Sequence, residues 1–410
     1  MMEQIDLTIG IIAIGYNRPN SIGRLLDRLN ACDYPHNRVP LIVSLDNCGK
    51  PDTYDRASSF HWKHGTMEVL LQPERLGLKK HILKCGSYIA QYGWDAAIVL
   101  EDDVYPSAAF YLYSLQAVQK YQHDDRIAGI SLFAMPQNQT VRLPFAPALS
   151  EYDAYFMQLA QSCGQVWMKP QWQAFADWYA GHSEPFKQCL GVPRNVCRWP
   201  ETSWLKYHIR YCVEMDKYFV YPYQSLTTNF SDVGQHTGIA SNTLQTHLQQ
   251  KARTAYLFPD LDSAPVVYDV WHENLRIPEA LGIAPEELCV DIFGGKWNSE
   301  KKRYWLTTCV RPWKVIRSFA LSLYPMDMNV LCGLEGNQIF LYDTTEAAEA
   351  PPSRDRDLQM WSYYNRILYP DEMIRKLSKP IGRKIWKSRW KSLKHPIRYI
   401  KYLLHRKRKK

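Results

Sequence analysis

Five apolar residues, Ala96-Ala97-Ile98-Val99-Leu100, run without interruption into Glu101-Asp102-Asp103. A run this short and continuous predicts a strand buried on both faces of an α/β sheet, and the crevice beyond the carboxyl ends of such strands is where ligands bind. Neighbouring carboxylates repel one another, so placing three of them there calls for a divalent cation or hydrogen-bond donors to offset the charge. The competing reading is a solvated acidic turn capping a helix that starts near Ser107.

The surrounding pattern supports the buried strand. Residues 7–14 are apolar, and Asn20 or Ser21 can cap a helix with Ile22, Leu25, Leu26 and Leu29 on one face. Further strands are predicted at 41–45, ending at Asp46-Asn47, at 67–71 and at 127–133, with helices over 79–92 and 108–121. Strands alternating with helices predict a mostly parallel sheet with right-handed crossovers. Active groups then belong after strands one, two and four, at Tyr16 to Arg18, Asp46, and Glu101 to Asp103.

With 410 residues, 46% of them hydrophobic, the chain can bury a large core and predicts one main domain with smaller appendages. Ten cysteines without a CxxC pair and an N-terminus lacking a basic, apolar leader predict a reducing, cytoplasmic setting. No run approaches the roughly 20 apolar residues of a membrane span. Charge is uneven: residues 373–410 hold 16 Lys and Arg with no Asp or Glu, so a net +9 leaves the rest at −7. Within that tail Ile381, Ile385, Trp386, Trp390, Leu393, Ile397, Ile400 and Leu404 recur mostly every three to four residues, interrupted by Pro396. This predicts an amphipathic helix lying on an anionic membrane surface, in preference to an inert tail or a nucleic-acid arm.

Taken together, Ile14-Gly15-Tyr16-Asn17-Arg18-Pro19, Val43-Ser44-Leu45-Asp46-Asn47-Cys48-Gly49 and Val99-Leu100-Glu101-Asp102-Asp103 resemble the nucleotide-sugar half of A-type glycosyltransferases. The pattern is similar to N-acetylglucosaminyltransferase I-like enzymes and family 2 bacterial polysaccharide transferases, over residues 5–240. The resemblance implies a Rossmann-like sheet and a UDP-sugar donor, whose uracil and phosphates would be held by Arg18 and Asp46. It implies that Asp103 binds Mn²⁺ or Mg²⁺ and that Glu101 and Asp102 face ribose and sugar. Trp199-Pro200-Glu201-Thr202-Ser203-Trp204 resembles the family's segment that supplies the general base, which makes Glu201 the base and predicts a partly desolvated carboxylate with a raised pKa. The plainer reading has Glu201 capping a helix over 203–213, and Asp177 is the rival base. Asp232-Val233-Gly234-Gln235-His236-Thr237-Gly238 resembles the loop that folds over donor phosphates, so His236 is a candidate for metal or diphosphate contact. Arg75, Lys79 and His81 are basic candidates for the diphosphate.

Residues 181–198 look inserted relative to the family, so the acceptor side is expected to be reshaped. Beyond residue 260 no resemblance remains, although 288–293, 303–308 and 338–342 are candidate strands, and Gly294-Gly295-Lys296 lacks the spacing of a phosphate loop. The expected organisation is a catalytic domain over 1–259, with a nucleotide-sugar half to about 135 and an acceptor half from 136. An accessory β-containing unit over 260–344, a linker over 345–372 and the tail complete it. The expected activity is metal-dependent, inverting transfer from a UDP-sugar to a carbohydrate acceptor, a lipid-linked glycan of bacterial surface polysaccharide synthesis at the inner face of the plasma membrane. Nucleic acid is not an expected partner. Two other readings stay open: a nucleotidyltransferase acting on sugar phosphates, and a non-catalytic glycan-binding protein that kept the fold.

Overall fold

The computed structural model describes residues 7–230, 232, 244–297, 302–352 and 355–365. β1 (Ile9–Gly15), α1 (Pro19–Asn30), β2 (Leu41–Leu45), α2 (Asp52–Ser58), β3 (Met67–Leu71), α3 (Leu78–Gln91) and β4 (Ala96–Glu101) alternate along the chain. A short β5 (Val104–Pro106) comes after the acids, then α4 (Phe110–Tyr121) and β6 (Ile127–Ser131). The small pair β7 (Gln137–Asn138) and β8 (Leu143–Pro144) leads into β9 (Ala154–Met157), β10 (Gln165–Met168), α5 (Lys169–His182), α6 (Arg194–Cys197) and α7 (Leu205–Glu214). β11 (Tyr218–Pro222), β12 (Thr227–Asn229) and β13 (Val267–Tyr268) complete this half.

Among the described residues nine strands form one sheet in the order β13-β9-β11-β6-β10-β4-β1-β2-β3. β1 pairs in parallel with β2 and β4, β2 with β3, β6 with β11 and β9 with β13, whereas β10 runs antiparallel between β4 and β6. The fold is therefore a mostly parallel sheet with flanking helices, as the alternation predicted. All seven residues of β1 and the five residues Ala96 to Leu100 of β4 are buried, which is why both read as unbroken apolar runs. Gly10 in β1 has a reason of its own: a Cβ there would overlap the buried Trp94 ring. The register sets the working edge, because Ile14 lies opposite Glu101 and Gly15 opposite Leu45. Three strands thus end level with one another, and the residues leaving each of them emerge at one place.

The large sheet takes β13 from beyond residue 259, the expected end of the catalytic domain. Val266, Val267 and Tyr268 are buried and β-favouring, and they pair beside β9. A second sheet contains β14 (Leu288–Asp291), β15 (Tyr304–Thr307), β16 (Trp313–Phe319) and β17 (Ile339–Ala347) in the order β14-β15-β17-β16, with α8 (Ile277–Leu281) and α9 (Met328–Leu331) beside it in sequence. Three of these strands fall on the predicted runs. β16 does not, since it is an edge strand with Lys314 to Arg317 exposed and two register shifts, so it has no clean alternation.

The chain divides into two compact units, 1–351 and 352–410. In the second, α10 (Arg356–Tyr364) stands where a linker over 345–372 was expected, with the Asp355 carboxylate accepting the Leu358 N–H at 3.2 Å as an N-cap. At the start of that expected linker, β17 continues to Ala347. Residues 373–410 lie outside the described residues. Among the described residues no helix is long and apolar enough to cross a membrane.

Candidate active site

Tyr16, Asn17 and Arg18 leave β1 at the shared edge. Asn17 takes a left-handed φ of 49°, a conformation that costs most non-glycine residues energy but that asparagine tolerates. Beyond this turn Arg18 reaches the end of β4. Its Nε donates to Asp102 Oδ2 at 3.1 Å, its Nη2 to Asp102 Oδ1, and its Nη1 to Asp103 Oδ2 at 3.3 Å. The planar guanidinium matches the Asp102 carboxylate with both prongs, a geometry that lysine could not supply.

Burial separates the three acids. The Asp102 side chain is only 3% exposed, while those of Asp103 and Arg18 are 23% and 25% exposed. Burial pushes the Asp102 carboxyl up to about 7, with Arg18 opposing the rise and Asp103 adding to it. Glu101, at the last position of β4, is also pushed up, first by burial and then by the charges of Asp103 and Asp102. Burial disfavours the Arg18 cation, but the two aspartates outweigh that and hold its pKa above the ordinary arginine value. Asp103 is the most solvent-accessible carboxylate bonded to Arg18. The backbone around it is fixed, because β12 pairs with β5 and the Phe230 N–H donates to the Asp103 carbonyl at 2.6 Å.

Asp46, expected with Arg18 to hold the uracil and phosphates, bonds to the backbone. It is 5% exposed; Oδ1 accepts the N–H groups of Asn47 at 3.0 Å and Leu76 at 2.8 Å, and Oδ2 that of Gly77 at 2.9 Å. Its carboxylate pins the turn that opens α3 against the end of β2. His81, a diphosphate candidate, lies in the core instead, its Nε2 2.8 Å from Ser44 Oγ and its pKa lowered to about 4 by burial. Arg75 stacks over the Tyr16 ring at 5.1 Å. Lys79 turns toward the other half of the site, with Nζ 4.8 Å from the centre of the Tyr207 ring.

That ring belongs to the surroundings of Glu201, and here the expectation needs correction. Trp204 does not wedge against the carboxylate; it is buried edge-on to Trp167, which in turn stacks on Trp172 at 3.8 Å. Glu201 instead meets the first turn of α7. Lys206 Nζ donates to Oε1 at 2.7 Å and the Tyr207 hydroxyl to Oε2 at 2.7 Å. Burial raises the Glu201 pKa, but the bonds from Lys206 and Tyr207, with the charges of Lys206 and Lys79, outweigh it, so the carboxyl sits below its ordinary value rather than above. Nor is Glu201 a helix cap, since its bonds go to side chains and α7 starts without a side-chain cap. Asp177, the rival base, accepts from Gln173 on the surface of α5. His236 lies outside the described residues; Asp232, four positions before it, accepts from Ser21 Oγ at 2.8 Å and from Arg24.

Lys206 and Tyr207 carry no sequence signal of their own, because a lysine in a helix reads as a solvated face and a tyrosine as core. Among the described residues no cluster of three or more His, Cys, Asp or Glu is arranged to hold a metal ion. Mg²⁺ or Mn²⁺ shared with a diphosphate needs no such cage: one or two carboxylates suffice, with phosphate oxygens and water completing the shell. Asp103, a partly exposed hard oxygen donor beside Arg18 at the strand end, fits that requirement.

The fold is an α/β protein in which the acids and Arg18 gather at the carboxyl ends of β1 and β4, beside that of β2. No family model matches the chain, and no curated protein matches it. Solved structures do. One is residues 1–349 of S. aureus TarS in complex with UDP-GlcNAc, at 13% identity and a TM-score of 0.37, covering 56% of this chain and 60% of that one. A second is the mannosyltransferase PcManGT from Pyrobaculum calidifontis in complex with GDP-Man and Mn²⁺, at 14% identity and a TM-score of 0.32, covering 56% and 58%. A third is a cytidylyltransferase from Leptospira borgpetersenii serovar Hardjo-bovis, at 13% identity and a TM-score of 0.26, covering 42% and 64%. The chain spans about 60% of the length of the TarS structure.

Proposed function

We propose that this protein is a glycosyltransferase that takes a sugar from a UDP-sugar in a metal-dependent, inverting reaction. The observation that supports the reading is the convergence of Arg18 on Asp102 and Asp103 at the level ends of β1 and β4, the kind of strand end at which α/β sheets bind ligands. A cation at Asp103 would supply Lewis-acid charge to the departing β-phosphate. Arg18 binds phosphate oxygens in the same crevice, and Asp102 keeps the guanidinium aimed there. Asp46 contributes indirectly by fixing the loop that forms the wall beside β2. Glu201, ionised and held by two donors, takes the proton of the attacking hydroxyl. A base with a depressed pKa is weaker than one raised by burial, but it is in its working form throughout the neutral range.

The acceptor in this reading is a lipid-linked glycan of bacterial surface polysaccharide. Supporting it is the basic, tryptophan-bearing tail, which suits an anionic leaflet with each nearby Lys or Arg adding about 1 kcal/mol. Deleting residues 373–410 is expected to abolish binding to vesicles of phosphatidylglycerol and phosphatidylethanolamine, with UDP release retained. Sustained vesicle binding would remove the tail from the account. The activity itself is tested by measuring UDP release from UDP-GlcNAc, UDP-glucose and UDP-galactose with Mn²⁺, Mg²⁺ or chelator. UDP release that no chelator affects would overturn the metal's place in it.

A further inference from the structure

The Lys206 side chain is fully buried, and removing an ammonium from water costs several kcal/mol unless its donors and its charge are answered. Here all three donors are answered. Nζ donates to the Phe186 carbonyl at 2.6 Å, to the Trp199 carbonyl at 3.2 Å and to Glu201 Oε1 at 2.7 Å, and it lies 4.3 Å from the centre of the Phe186 ring. The Phe186 carbonyl comes from within the segment 181–198 that looked inserted in the sequence, and the Trp199 carbonyl and the Glu201 carboxylate come from the residues just after it. A single ammonium therefore fastens residues 186, 199 and 201 to α7. A compact, three-donor head suits this convergence, whereas a planar guanidinium does not.

Only one of the three acceptors carries charge, and it is also the one that faces solvent: the Glu201 side chain is 38% exposed. The Lys206 position, in the first turn of α7, is unfavourable for a cation on the helix dipole alone, so Glu201 balances the dipole as well as the ammonium. With Oε1 held by Lys206 and Oε2 by Tyr207, the carboxylate has no free rotation. Each oxygen keeps a further lone pair for a proton arriving from solvent or acceptor.

We propose that Lys206 is a positioning residue that locks the 186–201 segment in place and holds Glu201 oriented and ionised toward the acceptor side, with Tyr207 as its second clamp. The proposal rests on Glu201 being the proton acceptor, and its test separates the two ideas. Glu carboxyl carbons labelled with ¹³C are titrated by NMR in the full-length protein, with Glu201→Gln used to assign the Glu201 signal. Lys206→Met is expected to move the Glu201 midpoint up by about one pH unit or more. The acid limb of the pH profile for UDP release from UDP-GlcNAc in Mn²⁺ moves up with it, and affinity for UDP stays within about twofold. Tyr207→Phe leaves the lysine's three bonds in place and is expected to give a smaller shift in the same direction. An unchanged Glu201 midpoint in folded Lys206→Met overturns the proposal, and if that variant does not fold, an unchanged midpoint in Tyr207→Phe overturns it. Undiminished UDP release in Glu201→Gln would overturn the proton-acceptor reading alone, because the midpoint shift would still report the clamp.

Discussion

Two acid–cation pairs, one at the ends of β1 and β4 and one at the start of α7, are built in opposite senses. At the ends of β1 and β4 the acid is the buried partner: the Asp102 side chain is 3% exposed and the Arg18 side chain 25%. At the start of α7 the cation is buried, Lys206 at 0% against Glu201 at 38%. The consequence for the acid reverses accordingly. Burial raises Asp102 to about 7 despite its arginine, whereas Glu201 is held below its ordinary value by its lysine and tyrosine. An ion pair alone thus does not fix how a carboxylate titrates; the decisive matter is which partner bears the desolvation. A buried acid bonded to both prongs of an arginine suits a place where the guanidinium must be held in one orientation. An exposed acid kept ionised suits one where a proton must be accepted.

The largest expected effect tests the metal side of this contrast. Asp103→Ala should lower metal-dependent UDP release about 10⁴-fold, the loss anticipated when several kcal/mol of transition-state charge stabilisation disappear. Measured UDP affinity should also cease to respond to chelator. On the other side, Glu201→Gln should reduce transfer about 10³-fold while UDP affinity stays within about twofold; full activity would shift attention to Asp177. Arg18→Lys keeps the charge but loses the fork, and is expected to cost about 10²-fold in UDP release. Equal activity of the lysine variant would mean that charge, not geometry, is what the crevice requires.

The smallest effect is the sharpest test of the comparison, because it predicts opposite signs. The native Asp102 pKa lies above the unfolded value of about 4, so in metal-free buffer its ionisation opposes folding as pH rises toward about 7. Relative to Asp102→Asn, the wild type should lose a few degrees of melting temperature from pH 5 to pH 8. Glu201 is depressed, so its contribution is present above the unfolded value of about 4.3 and is lost as pH falls through the native one. Relative to Glu201→Gln, the wild type should lose melting temperature on acidification. Slopes of the same sign would mean that burial does not divide the pairs as described.

Much of the strand-end cluster was legible in the chain. The strands carrying Arg18 and Asp103 are apolar runs ended by polar residues, and that signal is local. The pairing of Arg18 with Asp102 was not, since it depends on Asn17 turning the chain and on β1 and β4 being neighbours. Asp46 was correctly placed at a strand end, but nothing local said that three backbone N–H groups from two loops would occupy it. Glu201 was read through its flanking tryptophans, yet Trp204 turned inward because Trp167 and Trp172 offered it a packed aromatic surface.

Local pattern was enough, over the first 131 residues, to set the alternation of the main strands and helices, the two-face burial of β1 and β4 and the edge to which acids and arginine are delivered. These rest on hydrophobic periodicity and on where it stops, both properties of neighbouring residues. Packing in three dimensions settled which charge meets which, and which member of each pair is dry. Partners 84 residues apart, as Arg18 and Asp102 are, meet only through the packing of strands, and the desolvation that sets their protonation belongs to the assembled neighbourhood rather than to any residue in it.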